Sequence, residues 1–392
     1  MKTHMPSTAI IRVEPLLIDK YLLVEIETGD GLVGLGEAGV WAHYEATAAT
    51  IEKFGRYLTG KDADQISRHW DTLHRFGNYD GAINMAAISA IDIALWDLKG
   101  KRLQRPVHSL LGGAMRDSIR VYAQARGATP EDMIQSCLTL RDAGYTAIGH
   151  INPFLDDARS VTDANFARSM DSGVRLAFAI REAVGLDVDL CIDVHRRLNP
   201  AQAVAFGYAI QDMHPLFYED PIRPDSIEAM ARVQAKVPVP VATGERIYCL
   251  DDFRQLCVSG AASYLRPSIG LCGGFTGAMR IAALAQAFDI SLIPHNTFSP
   301  VATMASLHFC AAIPNLLICE YPTSLYLDGV CSTELVGREL VDGVSHRTGG
   351  YVLPPAGPGL GVTLSAVARQ SFPTRIIDIQ MRQHVDGSDV EH

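Results

Sequence analysis

Apolar and polar residues alternate early in the chain and fall into short apolar blocks later. The stretch "YLLVEIETGDGLVGLGEAG", residues 21–39, alternates with period two around a GDG turn. Such alternation broken by a tight turn predicts an antiparallel hairpin, so residues 10–36 are expected to form a meander. Residues 44–58 and 84–103 carry helical spacing instead. The second overlaps "AINMAAISAIDIALWDLKGK", residues 82–101, which is apolar on nearly every side and is therefore expected to be buried. "RPVHSLLGG" closes it with proline and glycine.

After Val121 the pattern changes to apolar runs separated by helical segments. The candidate strands are "IRVYAQA", "AIGHI", "VDLCIDV", "PLFYED", "PVATGE", "ASYLRP", "ISLIPH" and "LLICE". Helices fit between them, starting at "TPEDM", "NPAQAV", "PDSIEAM", "LDDFRQL" and "GGFTGAM". Eight strand–helix repeats predict a parallel β/α architecture, closed into a barrel. From about residue 350 the segment "GGYVLPPAGPGLGV" is too rich in glycine and proline for regular structure, and the polar end "HVDGSDVEH" is expected to be frayed.

Composition narrows this picture. With 392 residues, 48% hydrophobic and 20% charged, the chain can bury a large core without disulfides or structural metal. The net charge of -10 and the lack of any Lys/Arg run argue against a nucleic-acid surface. Eight cysteines show no CxxC pair, and neither a signal-peptide core nor an 18-residue apolar run is present. A reduced, soluble, cytoplasmic protein without membrane contact is expected. Gly31, Gly34, Gly36 and Gly39 lie in and after a hairpin turn with no parallel βαβ unit before them, which argues against a dinucleotide loop.

Chemistry in a β/α barrel sits at the C-terminal ends of the strands. The residues that end the runs here are Asp193 with His195, then Glu219, Glu245, Arg266, His295 and Glu320. Asp193, Glu219 and Glu245 recur at a constant interval of 26 residues, one β/α unit each time. A lone carboxylate at a strand end is usually a helix cap or an ion-pair partner. Three at one phase of a repeat would repel one another without a cation between them. All-oxygen ligation suits Mg²⁺, with Mn²⁺ second. Asp220 would point away from Glu219, as a supporting or capping residue.

His195 follows Asp193 by two and shares its face, so it is a candidate acid or base beside the metal. His295, four strands away, could act from the opposite side. Glu320, if protonated, could donate a hydrogen bond to a developing oxyanion; the alternative is an ion pair with an arginine. Arg266 either binds a substrate carboxylate or neutralises the acid cluster. "GEAGVWAHYE" is a candidate lid, in which Trp41 and His43 either contact substrate or simply pack.

With these residues placed, the sequence resembles the enolase superfamily, in its mandelate racemase-like branch, over nearly the whole chain. "AIDIALWDLKGK" and "PVHSLLGG" resemble that branch's linking helix and its exit, and "DVH", "YEDP" and "ATGE" its three metal-ligand strands. "GGFTGAMRIA", "SPVATMASLHFCAAIPN" and "PGLGV" fit its later strands and the return to its capping domain. Within the branch, "DVHRRLNPAQA", "YEDPIRP" and "LHFCAAIPNLLICEYP" are most similar to the D-mannonate dehydratase-type subgroup.

The resemblance implies a modified (β/α)8 barrel of (β/α)7β form with an α+β capping domain. Its expected divisions are 1–118 for the cap, 119–349 for the barrel and 350–392 for a segment returning to the cap. It also implies a symmetric homo-oligomer and a lyase acting on an acid sugar, an aldonate such as mannonate or gluconate. A proton alpha to the carboxylate is removed, an enediolate forms, and the β-hydroxyl leaves. His195 would be the acid and His295 the base or its assistant.

The pattern departs from the family in three places. Gly149 and Ile151 stand where many members carry Lys-x-Lys or an arginine, so a base on that side is missing. "NPFLDDARSVTDANF" offers no tyrosine, unlike the loop of the mannonate enzymes. Ser268 occupies the place of an aspartate that orients the seventh-strand histidine. Two alternatives stay open: an epimerase or cycloisomerase using the same enediolate, and a metal-binding sugar-acid sensor or scaffold of weak catalytic power.

Overall fold

The computed structural model describes residues 7–76, 79–155, 161–162, 165–325, 330–377 and 382–390. The chain begins with an antiparallel sheet of β1 (Ile10–Ile18), β2 (Tyr21–Thr28) and β3 (Val33–Ala38), in that order. Helices α1 (Tyr44–Leu58), α2 (Ile66–His74), α3 (Ala82–Leu103) and α4 (Val107–Leu110) follow. The meander, α1 and α3 agree with the apolar pattern; α2 carried too short a signal to stand out. Gly34 and Gly36 are explained by α3, because a Cβ on either would lie 2.2 or 2.0 Å from the carbonyl oxygens of Ala94 and Ala90. The glycines let β3 lie directly on the helix backbone.

The barrel alternates strands and helices. It runs β4 (Ile119–Gln124), α5 (Pro130–Asp142), β5 (Ala147–Ile151), the two-residue β6 (Val161–Thr162), α6 (Phe166–Val184), β7 (Asp189–Asp193) and α7 (Pro200–Ala209). It continues through β8 (Phe217–Glu219), α8 (Ile227–Gln234), β9 (Val241–Thr243), α9 (Leu250–Ser259), β10 (Tyr264–Leu265) and α10 (Gly274–Gln286). It ends with β11 (Ser291–Leu292), α11 (Pro300–Ala312) and β12 (Cys319–Tyr321). Pairing is parallel in the order β11-β10-β9-β8-β7-β5-β4, with β12 on the free edge of β4. A parallel bridge between Leu292 and Leu316 closes the ring. Each ring strand but the last is followed by a helix, which gives the (β/α)7β form. Thr129, Asn199, Ser226 and Ser299 cap the helices after them, each side chain accepting a first-turn N–H, as their sequence positions suggest.

After β12 the chain returns to the first sheet. Tyr351–Val352 pairs antiparallel with β4, and Leu360 N–H donates to Asp97 Oδ1 at 2.8 Å. Asp97, fully buried on α3, also accepts from Leu35 N–H at 2.8 Å and Lys101 Nζ at 2.7 Å, joining three segments at one carboxylate. The polar end is not frayed within the described residues. Arg382–His384 pairs with Asp389–Val390, and the pair adds parallel to β6 beside the barrel mouth. Residues 156–160 and 163–164 of the loop "NPFLDDARSVTDANF", which would carry the mannonate-type tyrosine, lie outside the described residues.

Candidate active site

The strand ends converge, although not in the simple ring that equal spacing suggests. Asp193 and Glu219 are register partners on β7 and β8, but the partner of Glu219 on β9 is Ala242. Glu245 lies three residues beyond it, past Gly244. The stagger of a tilted barrel accounts for this offset. The three carboxylates still act on one another: burial raises the Glu219 pKa well above its ordinary value, and Asp193, Glu245 and Glu320 push it further, against the pull of Arg266. Glu219 Oε1 is buried without a hydrogen-bond partner.

Asp193 is flanked by two imidazoles. His195 Nε2 lies 2.9 Å and His150 Nδ1 3.2 Å from its Oδ2, while His195 N–H donates to Oδ1 at 3.0 Å. The two rings meet edge to face with centroids 4.4 Å apart. Burial works against ionisation of Asp193, but the His195 charge and the hydrogen bonds from His150 and His195 hold its pKa well below the usual carboxylate range. Burial, then Arg126 and His195, lower the His150 pKa to about 4, so it is neutral at pH 7. One ligand atom from each of His150, Asp193 and His195 lies within 4.8 Å of the others, a geometry that can hold a divalent cation.

His150 is the residue that sequence reading missed. Strand alternation assigns it to the face opposite Gly149 and Ile151, away from the site. The structure breaks that alternation: the pairing of β5 with β7 shifts register between Ile148 and Ile151, and His150 has φ +54°. The kink turns the imidazole onto Asp193. Gly149 meanwhile packs against the Tyr122 ring, where a Cβ would fall 2.4 Å from ring carbons. The second barrel strand therefore does bring a proton-carrying group to the site, contrary to the expectation from Gly149 and Ile151. His195 (φ +46°), Arg196 (+63°) and Asp220 (+37°) share the left-handed backbone, so strain concentrates here.

Two arginines neutralise the remaining acids. Arg266, 1% exposed, lies with Nε 2.5 Å from Glu219 Oε1, Nη2 2.8 Å from Glu320 Oε2 and Nη1 2.9 Å from the Tyr122 hydroxyl. These contacts pair it with two acids of the cluster. Arg196 places Nη1 2.5 Å from Glu245 Oε1 and 3.3 Å from Asp220 Oδ2. Asp220 also accepts from Thr243 Oγ1 at 2.6 Å, the supporting position expected of it.

Glu320 differs from the hydrogen-bond donor envisaged from sequence. It accepts from Gln124 Nε2 at 2.7 Å, Arg266 Nη2 at 2.8 Å and Asn296 N–H at 2.9 Å. Burial pushes its pKa upward, but Arg266, His295 and these donors outweigh that and keep it ionised. An ionised, saturated carboxylate orients its neighbours and has no proton to give.

His295 stands on the other side of Glu245, its Nε2 3.5 Å from Oε2, and meets the Phe298 ring edge to face at 5.6 Å. Its backbone bridges that of Ser268, yet neither His295 Nδ1 nor Ser268 Oγ has a hydrogen-bond partner. Serine is too short to orient the ring as an aspartate would. Trp41 stacks on Phe298 at 6.1 Å, which brings the end of β3 to the site. His43 is exposed at the N-terminus of α1 and is not drawn into this cluster.

The residues fit a divalent cation. His150, Asp193 and His195 bring their ligand atoms together, and Glu219 and Glu245 are further hard oxygen donors at neighbouring strand ends, each held at present by a guanidinium, Arg266 and Arg196 respectively.

Comparison with known proteins places these features in context. Residues 8–112 match the family described as "Mandelate racemase / muconate lactonizing enzyme, N-terminal domain", and residues 132–368 match "Enolase C-terminal domain-like". The D-galactonate dehydratase of Ralstonia pickettii (strain 12J) is 32% identical over 380 residues, 95% of this chain and 96% of the relative. That of Klebsiella pneumoniae (strain 342) is 33% identical over 351 residues, 88% and 89%. The mandelate racemase/muconate lactonizing enzyme-like protein of Roseovarius sp. TM1035 superposes with a TM-score of 0.86 at 30% identity, covering 98% of this chain and 100% of that one. These curated relatives are galactonate enzymes rather than the mannonate type that the motifs suggested. Among the described residues no helix is long and apolar enough to cross a membrane.

Proposed function

The chain belongs to the mandelate racemase/muconate lactonizing enzyme family of the enolase superfamily, and on that premise we propose that it is a divalent-metal-dependent hydro-lyase that dehydrates an acid sugar. The observation that carries the reading is the buried carboxylate cluster flanked by imidazoles on both sides. Asp193, Glu219 and Glu245 would hold Mg²⁺, with Mn²⁺ as an alternative. When bound there, the cation supplies positive charge to a substrate carboxylate and so acidifies its alpha carbon.

The chain's own groups do the rest. His295 Nε2, on the far side of Glu245, takes the alpha proton. His195, held by Asp193, gives a proton to the departing β-hydroxyl, which leaves as water and yields a 2-keto acid after tautomerisation. His150 fixes the Asp193 carboxylate from the β5 side. Glu320 and Arg266 form the floor, and Trp41 with Phe298 walls the side nearest β3. A hexonate of the galactonate type is the substrate favoured by the relatives, with mannonate and gluconate next. The divisions at 118 and 349 are retained as the domain limits, supported by the return of residues 359–375 to α3, α4 and the first sheet, although Tyr351–Val352 still pairs with β4 of the barrel.

A second reading rests on His150. With one imidazole on the β5 side and another on the β11 side, epimerisation at the alpha carbon is chemically accessible. A panel of acid sugars incubated with Mg²⁺ and assayed for 2-keto acid separates the two. Keto acid is expected with a hexonate. Solvent deuterium at the alpha carbon without keto acid would replace dehydration by epimerisation. Full turnover by both His195→Asn and Glu219→Gln would remove the site assignment altogether.

A further inference from the structure

The loop that carries His195 also walls a second space outside the ring. A cavity of about 580 Å³ lies between the starts of α6, α7 and α8, and Arg196, Arg197, Arg223, Asp225, Phe154 and Met170 are among its lining residues. Arg196 is matched by Glu245 and Asp220 on the ring side, and Arg223 Nε lies 3.8 Å from Asp225 Oδ2, so Arg197 and Arg223 against Asp225 leave the wall one positive charge in excess on a chain of net charge -10. Arg197 is braced in the wall, its Nη2 donating to Ser169 Oγ at 3.2 Å and its guanidinium 4.8 Å from the Phe154 ring centroid.

The backbone adds to this field. Phe166 opens α6, Asn199 and Pro200 open α7, and Ser226 caps α8, and all four face the cavity. A helix N-terminus carries a partial positive charge that favours oxyanions, although at α6, α7 and α8 the side chain of Asn165, Asn199 or Ser226 already accepts from one first-turn N–H. A further observation ties the cavity to the acid cluster. Arg196 is 8% exposed and lines the cavity, its Nε is buried without a hydrogen-bond partner, and its Nη1 lies against Glu245.

We propose that this cavity is a subsite for a doubly charged oxyanion of the phosphate type, and that its occupant binds cooperatively with the divalent cation through Arg196. The coupling rests on the reading of Glu245 as a metal ligand. A cation at Glu245 displaces the Arg196 guanidinium from that carboxylate. An oxyanion in the cavity offers the displaced guanidinium a new partner. Each ligand therefore removes part of the cost of binding the other, and by linkage the effect is equal in both directions.

The test is a pair of titrations on chelator-treated full-length protein. Inorganic phosphate and glycerol 3-phosphate are titrated calorimetrically in metal-free buffer, against sodium chloride of equal ionic strength. Both anions are expected to bind where chloride does not. Binding of phosphate alone would assign the subsite to the free ion, and binding of both to a ligand bearing a phosphate group. Arg197→Gln/Arg223→Gln is expected to weaken binding roughly tenfold or more, as loss of two charge-assisted partners requires. Arg223→Gln alone, at a largely exposed position, keeps the comparison available should the double variant misfold.

Mn²⁺ is then titrated by electron paramagnetic resonance with and without glycerol 3-phosphate. Its affinity is expected to rise about fivefold or more with the anion, the lower range of allosteric coupling. Anion binding untouched by either variant, or Mn²⁺ affinity indifferent to the anion, would overturn the proposal. Mn²⁺ binding equally well to Glu245→Gln would instead overturn the metal reading, while the metal-free anion titration would still stand.

Discussion

Arg266 shows how much one buried side chain holds in place. Among the described residues it is the largest fully buried side chain, and it reaches Glu219, Glu320 and Tyr122 from just past the end of β10. Removing one member of a buried ion pair leaves the other charge uncompensated and costs roughly 3–5 kcal/mol. Arg266→Met is therefore expected to lose about that much in denaturant unfolding at pH 7, with Arg266→Lys recovering only part, because an ammonium cannot span three partners in a planar fork. A methionine variant as stable as the parent would show that these pairs carry no weight. From sequence, Arg266 was visible as a cation at a strand end, and Asp193, Glu219 and Glu245 as acids at a repeat phase. His150 was not visible, because its orientation depends on a kink in β5 that strand periodicity denies. The ionised state of Glu320 was equally hidden, since it depends on donors from β4, β10 and the segment after β11 meeting at one carboxylate.

Elements were more legible than the side chains they carry. All eight ring strands and the starts of α5, α7, α8, α9 and α10 follow from apolar blocks and the polar or glycine residues at each helix start, since both signals are local. The pairing of Arg382–His384 with β6 depends on a partner more than 200 residues away, which no local pattern reports. The contact between α4 and α11 is another such long-range feature, and it makes stability depend on pH. His108 N–H donates to His308 Nδ1 at 3.2 Å, so that nitrogen is an acceptor, and the two rings stack with centroids 5.3 Å apart. Burial, and then the His108 charge, depress the His308 pKa from 6.5 to about 3. Between these two values the unfolded chain binds a proton that the folded chain refuses, so stability falls as pH drops through the window. Above 6.5 both states are neutral and the group has no effect. The limiting slope is about 1.4 kcal/mol per pH unit for one such group. Urea unfolding of the parent and of His308→Gln from pH 7 to pH 4 should show a shallower acid loss in the variant; parallel curves would exclude His308 as a cause.

At the scale of the whole molecule, cap and barrel are tied by buried acids as well as by apolar packing. Asp97 gathers β3, α3 and the returning segment, and Glu37 on β3 accepts from the N–H groups of Ser299 and Ala302 at the start of α11, at 3.0 and 2.9 Å. The carboxylates at the barrel mouth are likewise matched to groups from the chain itself: Asp193 to two imidazoles, Glu219 and Glu320 to Arg266, Glu245 and Asp220 to Arg196. A binding site whose charges are already balanced does not depend on its ion for folding. A ligand present at a hundred times its Kd stabilises the native state by about 2.7 kcal/mol, but here the ion must first displace guanidinium groups, which weakens its apparent Kd. Chelation should therefore abolish turnover while leaving the melting temperature nearly unchanged, and re-addition of Mg²⁺ should restore activity within mixing time. Collapse of the melting transition on chelation would contradict this. On the proposed reading the polypeptide is thus a finished container before its ion arrives, and metal supply would set how many molecules work rather than how many survive.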